Sequence, residues 1–187
     1  MKRKQLSVFK NLPTLETERL ILKKITKDFI DDIYEYRSDP EVSKYLLWSP
    51  DDSKIYTECY VERLQELYTK GKFYDFGIFL KDGGKMIGTV GFTTINLHKN
   101  TASVGYVLNS KYWGQGLACE ALQKITEFGF CELGFKKLFA RLMDENTQSK
   151  RVLEKCGFSF FSYESNFLNV KGRMEKIAIY LREGNSP

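Results

Sequence analysis

A single mixed α/β domain on a central, largely antiparallel sheet is the fold this sequence predicts, and three observations predict it. The middle of the chain alternates at period two between turn signals, with runs at Phe73–Leu80, Lys85–Asn96 and Thr101–Leu108 separated by Asp82-Gly83-Gly84 and His98-Lys99-Asn100. Segments on either side carry apolar residues at helical spacing, as in Leu122, Ile125 and Phe128. No internal repeat, low-complexity tract or linker interrupts the 187 residues, a length that suits one domain.

The elements follow in order. Residues 1–14 read as a polar N-terminal extension, with Lys2, Arg3 and Lys4 as a flexible tail, and residues 15–184 as the domain. Leu15–Lys24 is a first strand. Thr26 or Asp28 is placed to cap a helix over Phe29, Ile33 and Tyr36 that stops near Asp39-Pro40. Glu41–Trp48 suggests another turn of helix, and Asp51 or Asp52 starts a longer one through Ile55, Cys59, Leu64 and Tyr68 to Gly71. The three strands of the middle come next, and Gly88 and Gly91 inside the second point to a bulge or a close backbone approach. A helix then runs to about Glu132, followed by a strand at Lys136–Met143, a helix at Thr147–Lys155 stopped by Gly157, and strands at Phe158–Glu164 and Lys171–Leu181.

Composition excludes several classes. Apolar residues make up 42% and charged residues 28%, the balance of a folded globular chain and not of a disordered one. No apolar run reaches the length of a membrane span, and Met1-Lys2-Arg3-Lys4 leads into no long apolar stretch, so no membrane partner is expected and a cytoplasmic protein is the default. Cys59, Cys119, Cys131 and Cys156 are widely spaced and form no C-x-x-C pair; with the single His98 they make a poor ligand set, so no metal is expected and the thiols read as reduced and mostly buried. The net charge of +5 suits a phosphorylated cofactor, RNA or a ribosomal surface, and equally a plain solvated surface. The positive charge is scattered and no RNA-binding motif is present, so direct nucleic-acid binding is not expected.

The stretch with chemistry in it is Ala102–Glu120. A strand leads into Trp113-Gly114-Gln115-Gly116-Leu117-Ala118, where small residues leave the backbone almost bare just before a helix. Helix starts carry unpaired N–H groups and the positive end of the dipole, so this is a candidate phosphate-binding strand–loop–helix. A Walker A loop fails because no Lys-Ser/Thr follows Gly116, and a dinucleotide fingerprint fails because Cys119 holds the third glycine position. A third pattern, x-x-x-G-x-G/A, is satisfied by Gly116-Leu117-Ala118. Further on, Asn146 and Ser149 open a second helix, in N-T-Q-S-K-R-V-L-E-K-C-G-F; read alone, Asn146 or Thr147 is an N-cap.

The pairing of Y-W-G-Q-G-L-A-C-E-A with N-x-x-S-x-x-V-L-E-K-x-G-F resembles the GNAT superfamily of acetyl-CoA-dependent N-acetyltransferases. The opening L-E-T-E-R-L-I-L and the late R-M-E-K-I-A-I-Y resemble its branch of ribosomal-protein N-terminal (alanine/serine) acetyltransferases. The resemblance implies a sheet of about seven strands flanked by about four helices and splayed at the cofactor-binding strand. It implies acetyl-CoA as cosubstrate and a primary amine as acceptor, on a protein N-terminus or a small molecule; monomer or homodimer stays open. Carried over by position, Tyr106, Val107 and Leu108 pair with the pantetheine arm, and the main chain of Gly114, Gln115, Gly116, Ala118 and Cys119 holds the pyrophosphate beside Trp113. Asn146 meets the arm, and Lys150 and Arg151 face either the 3′-phosphate or water. Two family positions differ. Leu153 stands where many members have the acid Tyr, which leaves Ser149 as the candidate acid, and Ser103 stands where an E-x-G-Y pattern supplies the base. Ser103 through an ordered water and Glu164 are then the candidate bases, ahead of Asp144, Glu145 and His98. Tyr34, Tyr36, Tyr45, Trp48, Tyr56 and Phe73 lie in the segments that would wall the acceptor site. The two departures also motivate an alternative, a non-catalytic acyl-CoA-binding module on the same fold.

Overall fold

The computed structural model describes residues 11–72 and 74–184. The Lys2-Arg3-Lys4 tail and Phe73 lie outside the described residues. In chain order the elements are β1 (Leu15–Glu16), β2 (Leu20–Lys23), α1 (Ile30–Arg37), α2 (Pro40–Ser43), α3 (Lys54–Thr69), β3 (Asp75–Leu80), β4 (Met86–Asn96), β5 (Thr101–Leu108), α4 (Leu117–Cys131), β6 (Lys137–Met143), α5 (Thr147–Lys155), β7 (Ser159–Tyr163), β8 (Leu168–Val170), β9 (Arg173–Glu175) and β10 (Ile177–Glu183). Eight strands form one sheet in the order β1-β2-β3-β4-β5-β6-β10-β7, and β8-β9 form a separate hairpin. Every neighbouring pair in the large sheet is antiparallel except β5 with β6. The mixed α/β sheet with helices on both faces is the predicted fold.

Alternation along the strands sends side chains to two cores. On β3, Phe76 and Ile78 join a core with Leu122, Ile125 and Phe128 of α4 and Leu153 of α5. Phe79 enters the other, with Ile33 and Tyr36 of α1 and Val61, Leu64 and Tyr68 of α3. One face of the sheet therefore carries α4 and α5, the other α1 and α3.

Several expected elements come out differently. The first strand is a hairpin: Thr17 N–H donates to the Leu20 carbonyl at 3.0 Å and Leu20 N–H to Thr17 Oγ1 at 2.9 Å, which turns the chain inside what reads as one apolar run. Helical residues after Pro40 stop at Ser43, not Trp48. The long helix starts at Lys54 with Ser53 as its cap, because the Asp51 carboxylate is taken by Arg37 and Thr57. The last expected strand is broken in two at Lys176, and Lys171-Gly172, both at positive φ, turn β8 into β9. Cys59 and Cys131 are exposed, against the expectation of mostly buried thiols. The glycines of β4 do mark close approach: a Cβ on Gly88 would lie 2.1 Å from the Val107 carbonyl oxygen, and one on Gly91 would lie 2.3 Å from that of Tyr74.

Candidate functional site

The site follows from how β5 and β6 part. Their parallel ladder runs from Thr101–Lys137 to Val104–Ala140 and ends there. Beyond it β5 stays paired with β4 through Leu108, and β6 with β10 through Met143. Gly105 to Leu108 on one side and Arg141 to Met143 on the other therefore flank a gap with unpaired backbone edges. The two strands are parallel, so both carboxyl ends point the same way, and each leads to a helix N-terminus, α4 after β5 and α5 after β6. Crevices at strand carboxyl ends are where open sheets bind ligands.

At the first helix start, Gly114 and Gly116 take φ of 76° and 79°, conformations that side chains rarely adopt. A Cβ on Gly114 would meet nothing within 4 Å, and one on Gly116 only the Arg19 guanidinium at 3.6 Å, so this cradle opens outward. Glu120 N–H is the first to bond back into the helix, at 3.0 Å to the Gly116 carbonyl, which leaves the amides of the preceding turn for an anion. The loop is held from the β1–β2 turn. Arg19 donates to the Gln115 carbonyl at 3.0 Å and pairs with Glu120, which also accepts from Thr17 Oγ1 and from Arg19 N–H. Burial opposes ionisation of Glu120, but those hydrogen bonds outweigh it and hold the carboxyl below its ordinary range. Nothing in the sequence pattern ties Thr17 and Arg19 to a loop so far along the chain, and their part in the site is legible only from the structure.

Trp113 fastens the other side of the loop. Its indole N–H donates to the Leu108 carbonyl at 2.8 Å and ties the loop to the end of β5. Buried Asn109 accepts from Lys111 N–H at 3.1 Å, while its Nδ2 has no partner among the described residues. Ala118 and Cys119 lie in the first turn of α4, and Cys119 Sγ meets Cys156 Sγ at 2.8 Å, thiol to thiol.

At the second helix start Asn146 is the N-cap; its side-chain oxygen accepts from Ser149 N–H at 3.0 Å. Ser149 Oγ lies 2.7 Å from the Tyr106 hydroxyl, so the two candidate helix-start residues and the β5 tyrosine form one connected group. Burial pushes the Tyr106 phenol above its ordinary range, so it stays protonated. Lys150 is paired with Asp144. Glu164 is paired with Arg141. Ser103 lies on the opposite face from Tyr106, near Thr93, whose hydroxyl donates to the Ser103 carbonyl at 3.4 Å. The structure thus groups Tyr106, Asn146 and Ser149 and leaves Ser103 and Glu164 with other neighbours. His98 sits in the β4–β5 turn, its N–H donating to Asn96 Oδ1 at 3.1 Å.

On the α1–α3 face a groove of about 530 Å³ is lined by Arg37, Trp48, Asp51, Tyr56, Tyr60 and their neighbours. Arg37 is bidentate to Asp51 at 2.7 and 2.9 Å and lies between the Trp48 and Tyr60 rings, 4.6 and 4.2 Å from their centroids. Thr57 Oγ1 closes the node with a 2.6 Å bond to Asp51. Of the aromatics expected to wall an acceptor site, Trp48 and Tyr56 line this groove, while Tyr36 is buried in the core beneath it. Among the described residues no cluster of His, Cys, Asp or Glu has the makings of a metal site, and no helix is long and apolar enough to cross a membrane.

A half-open parallel pair with helix N-termini at its mouth defines an acetyltransferase-type domain, and comparison with known proteins agrees. Residues 19–159 match the family described as the acetyltransferase (GNAT) domain, and the chain belongs to that family. It is 33% identical over 170 residues to the uncharacterized N-acetyltransferase p20 of Bacillus licheniformis, covering 91% of this chain and 94% of that one. It is 25% identical over 169 residues to the ribosomal protein uS5-alanine N-acetyltransferase of Escherichia coli, covering 85% and 84%. Among solved structures, a GNAT-family acetyltransferase from Bacillus anthracis superposes with a TM-score of 0.81 at 25% identity, over 91% of this chain and 98% of that one. RimL, a ribosomal L7/L12 alpha-N-protein acetyltransferase in complex with coenzyme A, superposes with a TM-score of 0.78 at 18% identity, over 91% and 98%, and shares the fold.

Proposed function

We propose that this protein transfers an acetyl group from acetyl-CoA to a primary amine, on a protein N-terminus or a small molecule, by direct attack in a ternary complex. The observation that carries this reading is the gap past Val104–Ala140 with two helix N-termini at its mouth. The residues present fit the cofactor: an open glycine cradle for a diphosphate, unpaired β5 edges for an amide-bearing arm, and a buried, unpartnered Asn109 Nδ2 near the loop.

In this reading the amides of Gly114, Gln115, Gly116, Ala118 and Cys119 hold the pyrophosphate, and Tyr106 offers backbone to the arm, whereas the Val107 N–H and C=O face Thr89 of β4. The Leu108 carbonyl is already used by Trp113, so its contribution is limited to its N–H side. Asn146 keeps its oxygen on Ser149 N–H and turns its amide toward the arm. Acetyl-CoA, when bound, supplies the thioester carbonyl that the amine attacks. Ser149 and Tyr106, linked hydroxyl to hydroxyl, hold the proton that a leaving thiolate takes. Lys150 is committed to Asp144, which leaves exposed Arg151 for a 3′-phosphate. The kinship with a ribosomal-protein alanine N-acetyltransferase supports an N-terminal alanine as the first acceptor to try.

The test is a calorimetric titration with acetyl-CoA followed by mass-spectrometric assay of a panel of amines and N-terminal peptides. Saturable binding and a mass gain of one acetyl group are expected, with binding lost in Gly116→Trp. Binding unchanged in that variant would overturn the cradle assignment; binding with no transfer to any acceptor would favour the non-catalytic module.

A further inference from the structure

The mechanism above has an acid and a cradle but no base, since Ser103 carries no carboxylate and Glu164 is held by Arg141. One carboxylate elsewhere in the fold is unused. Asp75 opens β3, pairs in register with Gly91 of β4, and Gly91 pairs with Gly105 of β5. Gly105 is the first β5 residue past the Val104–Ala140 pair, so Asp75 shares a cross-strand row with the start of the gap. Adjacent strands lie about 5 Å apart, which puts the two backbones about 10 Å from one another.

The two positions between Asp75 and the gap, Gly91 and Gly105, carry no side chains of their own. Asp75 Oδ1 lies 2.4 Å from where a Gly91 Cβ would be, so the carboxylate packs against the bare glycine. Thr93 Cγ2 lies 2.9 Å from a Cβ built on Gly105. A side chain at Gly91 would collide with the Tyr74 carbonyl, the Asp75 Cα and this carboxylate. The row belongs to the α1–α3 face, because Asp75 alternates with Phe76 and shares its side with Phe79. The Arg37–Trp48–Tyr60 groove opens on that face too, and Tyr60 both lines the groove and faces Asp75. Tyr60 thus links the groove to this carboxylate, which does not itself line the groove.

Asp75 Oδ1 is buried and has no hydrogen-bond partner among the described residues. Tyr36 on α1 and Tyr60 and Tyr68 on α3 face it, with Arg37 and Asp51 next to Tyr36 and Tyr60; the paired residues of β4 and β5 are glycines. Arg37 is neutralised by Asp51, and the Tyr68 hydroxyl donates to the Asp75 main-chain carbonyl at 2.8 Å, not to its carboxylate. A buried carboxylate oxygen without a partner is costly to the fold and is kept where a ligand satisfies it. Burial pushes its titration up to about 7, where a base for an ammonium at neutral pH works best.

We propose that Asp75 receives the acceptor ammonium and takes its proton, an assignment that rests on the acetyl-transfer reading above. The N–H bond breaks with its electron pair left on nitrogen, an O–H bond forms on Oδ1, and the neutral amine moves along the glycine row to the gap. The proton leaves to solvent through the groove after transfer.

The test has two readouts. In the first, the Asp75 carboxyl is followed by carbon-13 NMR across pH 5–9 in the full chain, with and without alanine amide as the amine probe, and assigned by its loss in Asp75→Asn. A midpoint near neutrality, shifted down by at least half a pH unit by saturating alanine amide, is expected. A midpoint in the ordinary carboxylate range, or one that alanine amide does not move, overturns the proposal whether or not the protein transfers acetyl groups. In the second, Asp75→Asn is expected to lose at least 100-fold in kcat/KM for the acceptor with acetyl-CoA affinity unchanged, and the acidic limb of the wild-type pH profile is expected to vanish. Full activity in Asp75→Asn overturns the role of Asp75 and leaves the acetyl-transfer reading intact. Asp75→Asn and wild type are compared by circular dichroism first, and a folded variant is required for the kinetic comparison.

Discussion

The same buried carboxyl makes stability depend on pH in a way that can be worked out in advance. In the unfolded chain Asp75 titrates near 3.8, and in the fold near 7. A raised carboxyl binds its proton more tightly in the native state, so its contribution is fully present below the lower value and is lost as pH rises through the upper one. Each pH unit between the two removes about 1.4 kcal/mol, so from pH 5 to pH 7 this one group costs the fold up to about 3 kcal/mol. Asp75→Asn carries no such proton. Urea unfolding of wild type and variant at half-unit steps from pH 5 to pH 8 reads the effect directly. The difference in unfolding free energy, variant minus wild type, is expected to climb in favour of Asn up to pH 7 and then level off. Asn brings its own constant offset from an imperfectly paired amide, so the slope and not the absolute value is the diagnostic quantity. A difference that stays flat across the range would refute the assignment of a buried, raised carboxyl at this position.

Other expectations concern the frame around the site. Asp51→Ala leaves Arg37 charged and unpaired between Trp48 and Tyr60, and is expected to destabilise the protein by about 3 to 5 kcal/mol in urea unfolding. Gly88→Ala places a Cβ 2.1 Å from the Val107 carbonyl oxygen, a clash with backbone that only separation of β4 from β5 relieves; lost or much reduced soluble expression is expected, and a Tm within a few degrees of wild type would contradict the register. Asn146→Ala removes the α5 cap at a cost of about 1 kcal/mol, and in calorimetry should also weaken acetyl-CoA binding, whereas Asn146→Ser should restore the stability alone, because serine supplies the cap without the amide. Glu35 bridges Lys85 and Lys111, and the Lys111 and Lys85 hydrogen bonds hold its carboxyl down at about 2. A lowered carboxyl contributes stability above its unfolded value that is lost as pH falls, so Glu35→Gln is expected to lose part of the acid sensitivity of the thermal midpoint between pH 5 and pH 3.

How much of the molecule was readable in its sequence divides along physical lines. Elements whose evidence is local came through: Thr101–Leu108 and Thr147–Lys155 have the predicted bounds, and Gly116 and Gly157 lie at helix ends with positive φ. The boundaries that failed were decided by long-range partners. Asp51 looks like a helix start until Arg37, well back in the chain, takes its carboxylate. Leu15–Lys24 looks like one strand until Glu120 clasps Thr17 and Arg19 across the sheet edge. The glycine-lined start of α4 was legible because glycine and small residues before a helix leave a pattern. Asp75 left none, since a single aspartate at a strand start reads as solvated, and only the register that sets it over Gly91 and in line with Gly105 takes it out of water.

In the proposed reaction that register also lets one sheet serve two ligands that must meet. The β5–β6 pairing stops after Val104, and the row just past the stop is Gly105–Gly91–Asp75. Tyr106 points to the α4–α5 face, where its hydroxyl meets Ser149, while its neighbour Gly105 lies on the α1–α3 face. Strand alternation therefore turns Tyr106 and Gly105 to opposite faces, and in the proposed reaction the proton donor stands on one face and Asp75, two strands from β5 along the Gly91 row, on the other. A thiolate needs its proton on the cofactor side and an ammonium must lose one on the acceptor side. Shifting β5 by one residue would exchange the faces, so the close contact of Gly88 with Val107, which fixes the β4–β5 register, constrains the chemistry as much as it constrains the fold.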